Sequence, residues 1–72
     1  MKLYLIRRLR FRYYEYDAHI VRADSEENAR IEASKTTGDE PSSKWIDPKL
    51  SVCTVVSMDG PIETILSSFN AE

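Results

Sequence analysis

The chain has 72 residues, and its 42% apolar and 31% charged residues are typical of one globular domain over residues 1–72. This balance excludes the disordered, collagen-like and membrane-spanning classes. A domain of this size buries only about 60% of the surface of its unfolded chain. Because the sequence holds one cysteine and one histidine, we predict no disulfide, structural zinc or cofactor, and we expect association to complete the fold.

The net charge of −2 conceals two unlike parts of the chain. Residues 1–22 carry six basic and two acidic side chains, or +4, whereas residues 23–72 carry four basic and ten acidic ones, or −6. This asymmetry bears on partners rather than on the fold. The apolar run at residues 3–6 is too short for a signal peptide or a membrane span, so we expect a cytoplasmic protein without a membrane partner.

Alternating apolar residues predict two strands near the start of the chain, at residues 2–8 and 15–23. The first strand is apolar on both sides and is therefore predicted to be central in a small sheet. The connection at residues 9–14 contains no tight-turn residue, which favours an irregular hairpin loop.

A helix is predicted roughly from residue 25 to residue 36. Asp24 or Ser25 can accept the free amides of its first turn, and Gly38 is placed to end it in a left-handed conformation. At 100° per residue, Ala29 and Ala33 form a face of small residues that suits packing on a sheet. Ile31 lies on the opposite side, where it is either an exposed residue or part of a contact.

The second half of the chain predicts a hairpin, with strands at 50–58 and 62–69 joined by the turn at 59–61. Residues 70–72 are expected to fray. The fold class is therefore α+β, in the order β-β-α-β-β, with a four-stranded, mainly antiparallel sheet and one helix on one face. One helix leaves the other sheet face open, and a large exposed apolar patch is rare on a monomer. We expect that face to expose some of four residues, Tyr4, Ile6, Tyr16 and Ile20.

Residues 37–49 form a long turn-rich stretch that contains Trp45. Asp47 and Pro48 can cap and begin a single helical turn there. Trp45 has two interpretations, a ring that folds back to fill the thin core or an anchor for a partner. The first is the commoner fate of a lone tryptophan in a loop.

The basic-aromatic segment, residues 7–14, is the main candidate for a binding site. Guanidinium groups bind phosphates and aromatic rings stack on bases, so single-stranded nucleic acid or a nucleotide is one interpretation. A protein or self contact is another, and a solvated hairpin tip that covers the core is the third. The predicted contact residues are Arg7, Arg8, Arg10, Arg12, Tyr13 and Tyr14, together with Ile31 and Trp45.

Catalytic signals are weak in this sequence. His19 and Cys53 are the only candidates for a nucleophilic pair, but both lie in the middle of predicted strands, and no glycine-rich turn flanks Cys53. The acidic residues around the helix are typical of a solvated helix start. The sequence therefore predicts a protein that is not an enzyme.

Four stretches of the chain resemble small proteins encoded by bacteriophages and prophages. They are Met-Lys-Leu-Tyr-Leu-Ile-Arg-Arg at 1–8, the strand-to-helix passage at 16–30, Trp-Ile-Asp-Pro at 45–48 and Ile-Leu-Ser-Ser-Phe at 65–69. The resemblance implies a protein that acts by binding, such as an inhibitor of a host defence system or CRISPR effector, or an oligomer that sequesters nucleotides. It supplies no functional residue.

From the residues and the resemblance together, we predict a small non-enzymatic phage-type binding protein that inhibits a host protein through protein–protein contact. We also expect it to form a homo-oligomer, most simply a dimer. The alternative is a nucleic-acid or nucleotide binder that uses the basic-aromatic segment.

Overall fold

The computed structural model describes residues 1–69, and within them the chain forms three strands and two short helices. Their bounds are Lys2–Arg8 (β1), Ala18–Ala23 (β2), Glu26–Ala33 (α1), Ser43–Ile46 (α2) and Ser51–Val56 (β3). The α+β class is confirmed, but the predicted four-stranded sheet with a single helix is wrong. The expected fraying of residues 70–72 lies outside the described part of the chain.

Strand β1 is the central strand, as its two apolar sides predict. The sheet order is β2-β1-β3 and both pairings are antiparallel. Leu5 lies opposite Ile20 on β2 and Thr54 on β3, and Ile6 lies opposite His19 and Cys53. The irregular connection predicted between the first two strands is also confirmed, and it spans residues 9–17.

The core lies between the sheet and the two helices. Even-numbered residues of β1, Tyr4 and Ile6, are 6% and 0% exposed and pack with Ala29 and Ala33 of α1. Trp45 of α2 completes this core at 0% exposure, so the core-filling interpretation of Trp45 is confirmed. Small residues on α1 let the helix approach the sheet closely, as predicted.

The opposite sheet face differs from the expectation, because Tyr4 and Ile6 lie beneath the helices. Ile20 is exposed on this face at 53%, as expected. Tyr16 is 46% exposed, but it precedes β2 and lies outside the sheet, with its ring 5.0 Å from the His19 ring. Leu5 points to this face and is nevertheless only 6% exposed.

The chain after β3 returns along the open side of the sheet. Leu66 is half-buried and lines a cavity of about 140 Å³ with Arg7 and Ala18. The Ser68 hydroxyl donates a hydrogen bond to the Asp17 carboxylate. This segment therefore supplies part of the cover that a second helix layer would otherwise provide.

Residues 62–69 do not form the predicted fourth strand. One physical reason lies at the outer edge of β3, where the Arg30 guanidinium donates to the Ser51 carbonyl oxygen at 3.1 Å and occupies a position that a fourth strand would need. Another is the contact of Ser68 with Asp17, which holds the segment elsewhere. Alternation and a good turn are local signals, and they do not report whether a strand edge is free.

The two helices begin and end for local reasons. Ser25 caps α1, since its hydroxyl accepts from the Asn28 amide at 3.1 Å. Helix α2 was not predicted. The single turn expected after Asp47 is present, since the Asp47 carboxylate accepts from the Lys49 amide and its carbonyl accepts from the Leu50 amide, both at 2.9 Å. Among residues 1–69, no helix is long and apolar enough to cross a membrane.

Candidate functional site

The basic-aromatic segment divides into a strand end and an exposed loop. Arg7 and Arg8 are the last residues of β1, and residues 9–14 leave the sheet. Every side chain of this loop is exposed, including four large apolar or aromatic ones. These four, with their exposed fractions, are Leu9 (59%), Phe11 (43%), Tyr13 (61%) and Tyr14 (85%).

Backbone hydrogen bonds hold the loop at its start and at its tip. The Leu9 amide donates to the Leu50 carbonyl at 3.1 Å, and the Tyr14 carbonyl accepts from the Asp39 amide at 2.9 Å. Within the loop, the Arg12 amide donates to the Glu15 carboxylate at 2.9 Å. Because the backbone is fixed, the exposed side chains lose less conformational freedom when they bind a partner.

Tyr14 has a backbone conformation that is unusual for a bulky residue. Its φ of 63° lies in the left-handed region, which costs a non-glycine residue about 1–2 kcal/mol. Strain of this kind is often found at functional positions. It directs an 85% exposed ring into solvent, and this supports a contact role for Tyr14.

The sequence predicted that Gly38 ends α1 in a left-handed conformation, and this prediction is wrong. The described glycines have no positive φ, and the C-cap of α1 is Ser34 in the right-handed helical region. The reason for glycine at position 38 is its close approach to the loop, because a Cβ atom there would overlap the Tyr14 carbonyl oxygen.

Replacing Gly38 with alanine is expected to move residues 38–39 away from Tyr14 and to weaken the hydrogen bond from the Asp39 amide to the Tyr14 carbonyl. Overlap with backbone atoms in a packed region costs about 1–3 kcal/mol. Chemical denaturation measures this loss, and amide hydrogen exchange at Asp39 reports the broken contact. Gly60→Ala is the control, since its Cβ would meet nothing closer than 3.9 Å. Equal effects of the two substitutions would contradict the close-approach role.

Beneath the loop lies a buried polar cluster of Arg8, Glu15, Glu40 and Trp45. The Glu40 carboxylate accepts from the Trp45 indole N–H at 3.2 Å, from the Tyr16 amide at 3.2 Å and from the Gly38 amide at 2.8 Å. Its side chain is 0% exposed and lies 3.9 Å from the Arg8 guanidinium. This cluster ties both ends of the loop to the core.

Arg8 is the cation of this cluster. Its guanidinium pairs with the Glu15 carboxylate at 3.1 Å, and its Cζ lies 5.9 Å from the Trp45 ring centroid. The Arg12 backbone N–H and, to a smaller extent, the Arg8 side chain lower the pKa of the Glu15 carboxyl. Glu15 is therefore ionised at neutral pH, and the Arg8–Glu15 pair persists there.

Two of the predicted contact residues are consequently inaccessible. Arg8 is 8% exposed and Trp45 is 0% exposed, so neither reaches a partner from this structure. For Arg8 the sequence held a usable signal, because it shares the two-residue period of Tyr4 and Ile6 and so points to the core side of β1. Glu40 belonged to the acidic residues expected on the surface, and its burial had no signal in the sequence.

A second buried arginine was missed altogether. Arg30 is 6% exposed and donates to the Trp45 carbonyl at 3.1 Å and to the Ser51 hydroxyl at 2.8 Å. Glu26 neutralises it from one turn earlier, at 3.0 Å. These bonds fix α2 and β3 to α1, so Arg30 is structural and does not belong to the binding surface.

Two accessible cations of the segment line an open groove of about 680 Å³. Arg10 and Arg12 face it with Lys44 from α2, and Leu9 and Phe11 supply apolar walls. The one acidic side chain in this lining, Glu15, is already paired with Arg8. The groove therefore combines net positive charge with apolar contact area.

Ile31 and Arg7 are predicted contact residues that do not line the groove. Arg7 lies at the smaller cavity beside Leu66. Ile31 is 42% exposed on the outer side of α1, as its helical position predicts. The acidic residues near it are used locally, since Glu26 pairs with Arg30 and Glu32 pairs with Lys35. They do not form one continuous acidic surface.

His19 and Cys53 do not form a nucleophile pair. They lie on β2 and β3, each opposite Ile6 of the intervening strand β1, which separates their Cα atoms by about 10 Å. The His19 ring contacts the Thr36 carbonyl at 2.9 Å and the Trp45 ring at 4.3 Å. Burial raises the pKa of the Cys53 thiol, which disfavours the thiolate.

Among residues 1–69, no group of three His, Cys, Asp or Glu side chains is placed to hold a metal ion. No family model matches the chain, and no curated protein or solved structure matches it either. The candidate site is therefore defined by its own geometry, as a fixed basic-aromatic loop beside a positive groove.

Proposed function

We propose that the protein is a small non-enzymatic binding protein in the cytoplasm, and that the loop at residues 9–14 with its groove is the contact surface for an acidic partner protein. The observation that carries this proposal is the exposure of six consecutive side chains on a backbone that hydrogen bonds with Leu50 and Asp39 hold in place. Tyrosine and arginine are the residue types that dominate binding energy at protein interfaces. Inhibition of a host protein is the form of binding that the phage resemblance favours.

Charge supports an acidic protein as partner. The groove offers Arg10, Arg12 and Lys44, while the rest of the chain carries an excess of acidic residues. Complementary charge accelerates encounter and excludes partners of the same sign.

The test is affinity capture from bacterial lysate with three baits compared by quantitative mass spectrometry. They are the wild type, the loop variant Arg10→Glu/Arg12→Glu and a control, Lys2→Glu/Lys35→Glu, which changes the net charge equally at exposed positions outside the groove. We expect a partner that the wild type and the control retain and the loop variant loses by at least about tenfold. A partner retained by all three baits would contradict the proposed surface.

Single-stranded nucleic acid is the second candidate, favoured by the exposed rings of Tyr13 and Tyr14 beside Arg10 and Arg12. Titration of a fluorescent oligothymidine at increasing salt separates the two candidates. Phosphate-dominated binding weakens steeply with salt. Tight, salt-sensitive binding that the loop variant abolishes would replace the protein-partner proposal.

A further inference from the structure

Strand β2 presents an unpaired edge. The Arg8 amide donates to the Asp17 carbonyl at 2.9 Å, so the backbone groups of residue 17 face β1. Along an antiparallel strand this orientation alternates, which turns the N–H and C=O groups of Ala18, Ile20 and Arg22 outward. Among residues 1–69, no backbone hydrogen bond satisfies these outward groups.

The other edge of the sheet is partly blocked. The Arg30 guanidinium occupies the Ser51 carbonyl oxygen of β3, which leaves Cys53 and Val55 as the outward residues of β3 without a backbone partner among residues 1–69. Natural sheets usually blunt a free edge with a charge, a proline or a bulge, because an open edge is a template for pairing with another chain. The outer edge of β2 has no proline and a single charged residue, Arg22, near its end, and its central residue Ile20 is 53% exposed.

The chain exposes more surface than an average monomer of its mass. Its accessible surface measures 5579 Å², whereas such a monomer exposes about 4,600 Å². Ile20 on β2 contributes to this surface, as do Met58, Ile62 and Phe69 in the segment after β3.

We propose that two copies of the chain pair through β2, antiparallel and across a two-fold axis at Ile20, to form a continuous six-stranded sheet. In this register Ile20 lies opposite Ile20 of the second copy, and Ala18 lies opposite Arg22. The three outward residues of each copy then exchange their N–H and C=O groups.

The side chains suit this register. The Ile20 pair extends the apolar row that begins at Leu5, its neighbour on β1. Arg22 lies opposite the small Ala18 of the second copy. It does not lie opposite the second Arg22, where two like charges would destabilise the pairing of the strands. The second copy is therefore the partner that this edge fits, independently of what binds the basic-aromatic loop.

Light scattering tests the dimer. The wild type is expected to have twice the mass of the 8.3 kDa chain at micromolar concentration. Ile20→Lys places two like charges opposite each other at the axis and is expected to give the mass of one chain with the circular dichroism of the fold retained. Val52→Lys is the matched control, because Val52 is 47% exposed on the same sheet face but on β3. A single-chain mass for the wild type, or a two-chain mass for Ile20→Lys, would overturn the proposal.

Disulfide formation tests the register. In a Cys53→Ser background, Ile20→Cys brings two thiols together at a hydrogen-bonded pair with Cα atoms about 5.5 Å apart, within the range that a disulfide spans. We expect a covalent dimer on mild oxidation. Arg22→Cys is the control, because its copies would lie about 13 Å apart along the strands. Cross-linking of Arg22→Cys but not Ile20→Cys would refute the two-fold axis at Ile20.

Discussion

Replacing Glu40 with alanine is expected to lower the free energy of unfolding by about 3–5 kcal/mol. The substitution leaves the Trp45 indole N–H and the Tyr16 amide without their acceptor, at about 1–3 kcal/mol for each buried donor. It also removes one of the two carboxylates beside the buried Arg8. A domain of this length has a total stability of only about 4–11 kcal/mol, so a large part of it would be lost.

Urea denaturation followed by tryptophan fluorescence measures this effect, because Trp45 is itself the reporter. Asp39→Ala is the control, since its side chain is exposed and only its backbone amide contacts the loop. Glu40→Gln keeps an acceptor oxygen while removing the charge, so its loss of stability should fall between those of Glu40→Ala and Asp39→Ala. If Glu40→Ala and Asp39→Ala unfold at the same urea concentration, Glu40 does not hold the loop to the core.

Replacing Trp45 with alanine is expected to lower the free energy of unfolding by about 3–5 kcal/mol, the range for large aromatic residues in a core. Trp45 is fully buried, and its ring lies 4.3 Å from the His19 ring between the sheet and α1. The helix residues in this core are Ala29 and Ala33, and their side chains are too small to fill the space that the ring would leave.

Thermal unfolding followed by circular dichroism measures this second effect. Ile46→Ala is the matched control, since it removes an aliphatic side chain that is 46% exposed on the same short helix. Its cost should stay below about 1 kcal/mol. A loss of stability for Trp45→Ala no larger than that of Ile46→Ala would show that the ring does not support the core.

The elements that the sequence predicts well are those with strong local patterns. Strand β1 has a short apolar run bounded by charges and is observed over the predicted residues 2–8. The capping of α1 by Ser25 follows from hydrogen-bonding chemistry within one turn. The predicted fourth strand is wrong because Arg30, which lies 21 residues from Ser51 in the chain, occupies the Ser51 carbonyl at the outer edge of β3. Pairing of this kind is a tertiary property.

The sequence predicts which residue types form the candidate site, but it does not predict which of them are buried beneath it. The exposure of Tyr13 and Tyr14 agrees with the basic-aromatic pattern, whereas the burial of Arg8 beside Glu15 and Glu40 depends on a segment that returns from 24 residues further along the chain to meet Tyr16. A sequence window shows which residues can bind a partner. It does not show which of them the fold uses to support the others.

The central position of β1 has a consequence for how the chain folds. Its pairs with β2 join residues 11 to 21 positions apart, while its pairs with β3 join residues 43 to 53 positions apart. Closing the longer loop costs more entropy and slows folding. We therefore expect the β1–β2 hairpin to form first, with one edge of β1 open until β3 arrives. During synthesis that edge stays available to chaperones or to other nascent chains until residues 24–56, which end with β3, have been added.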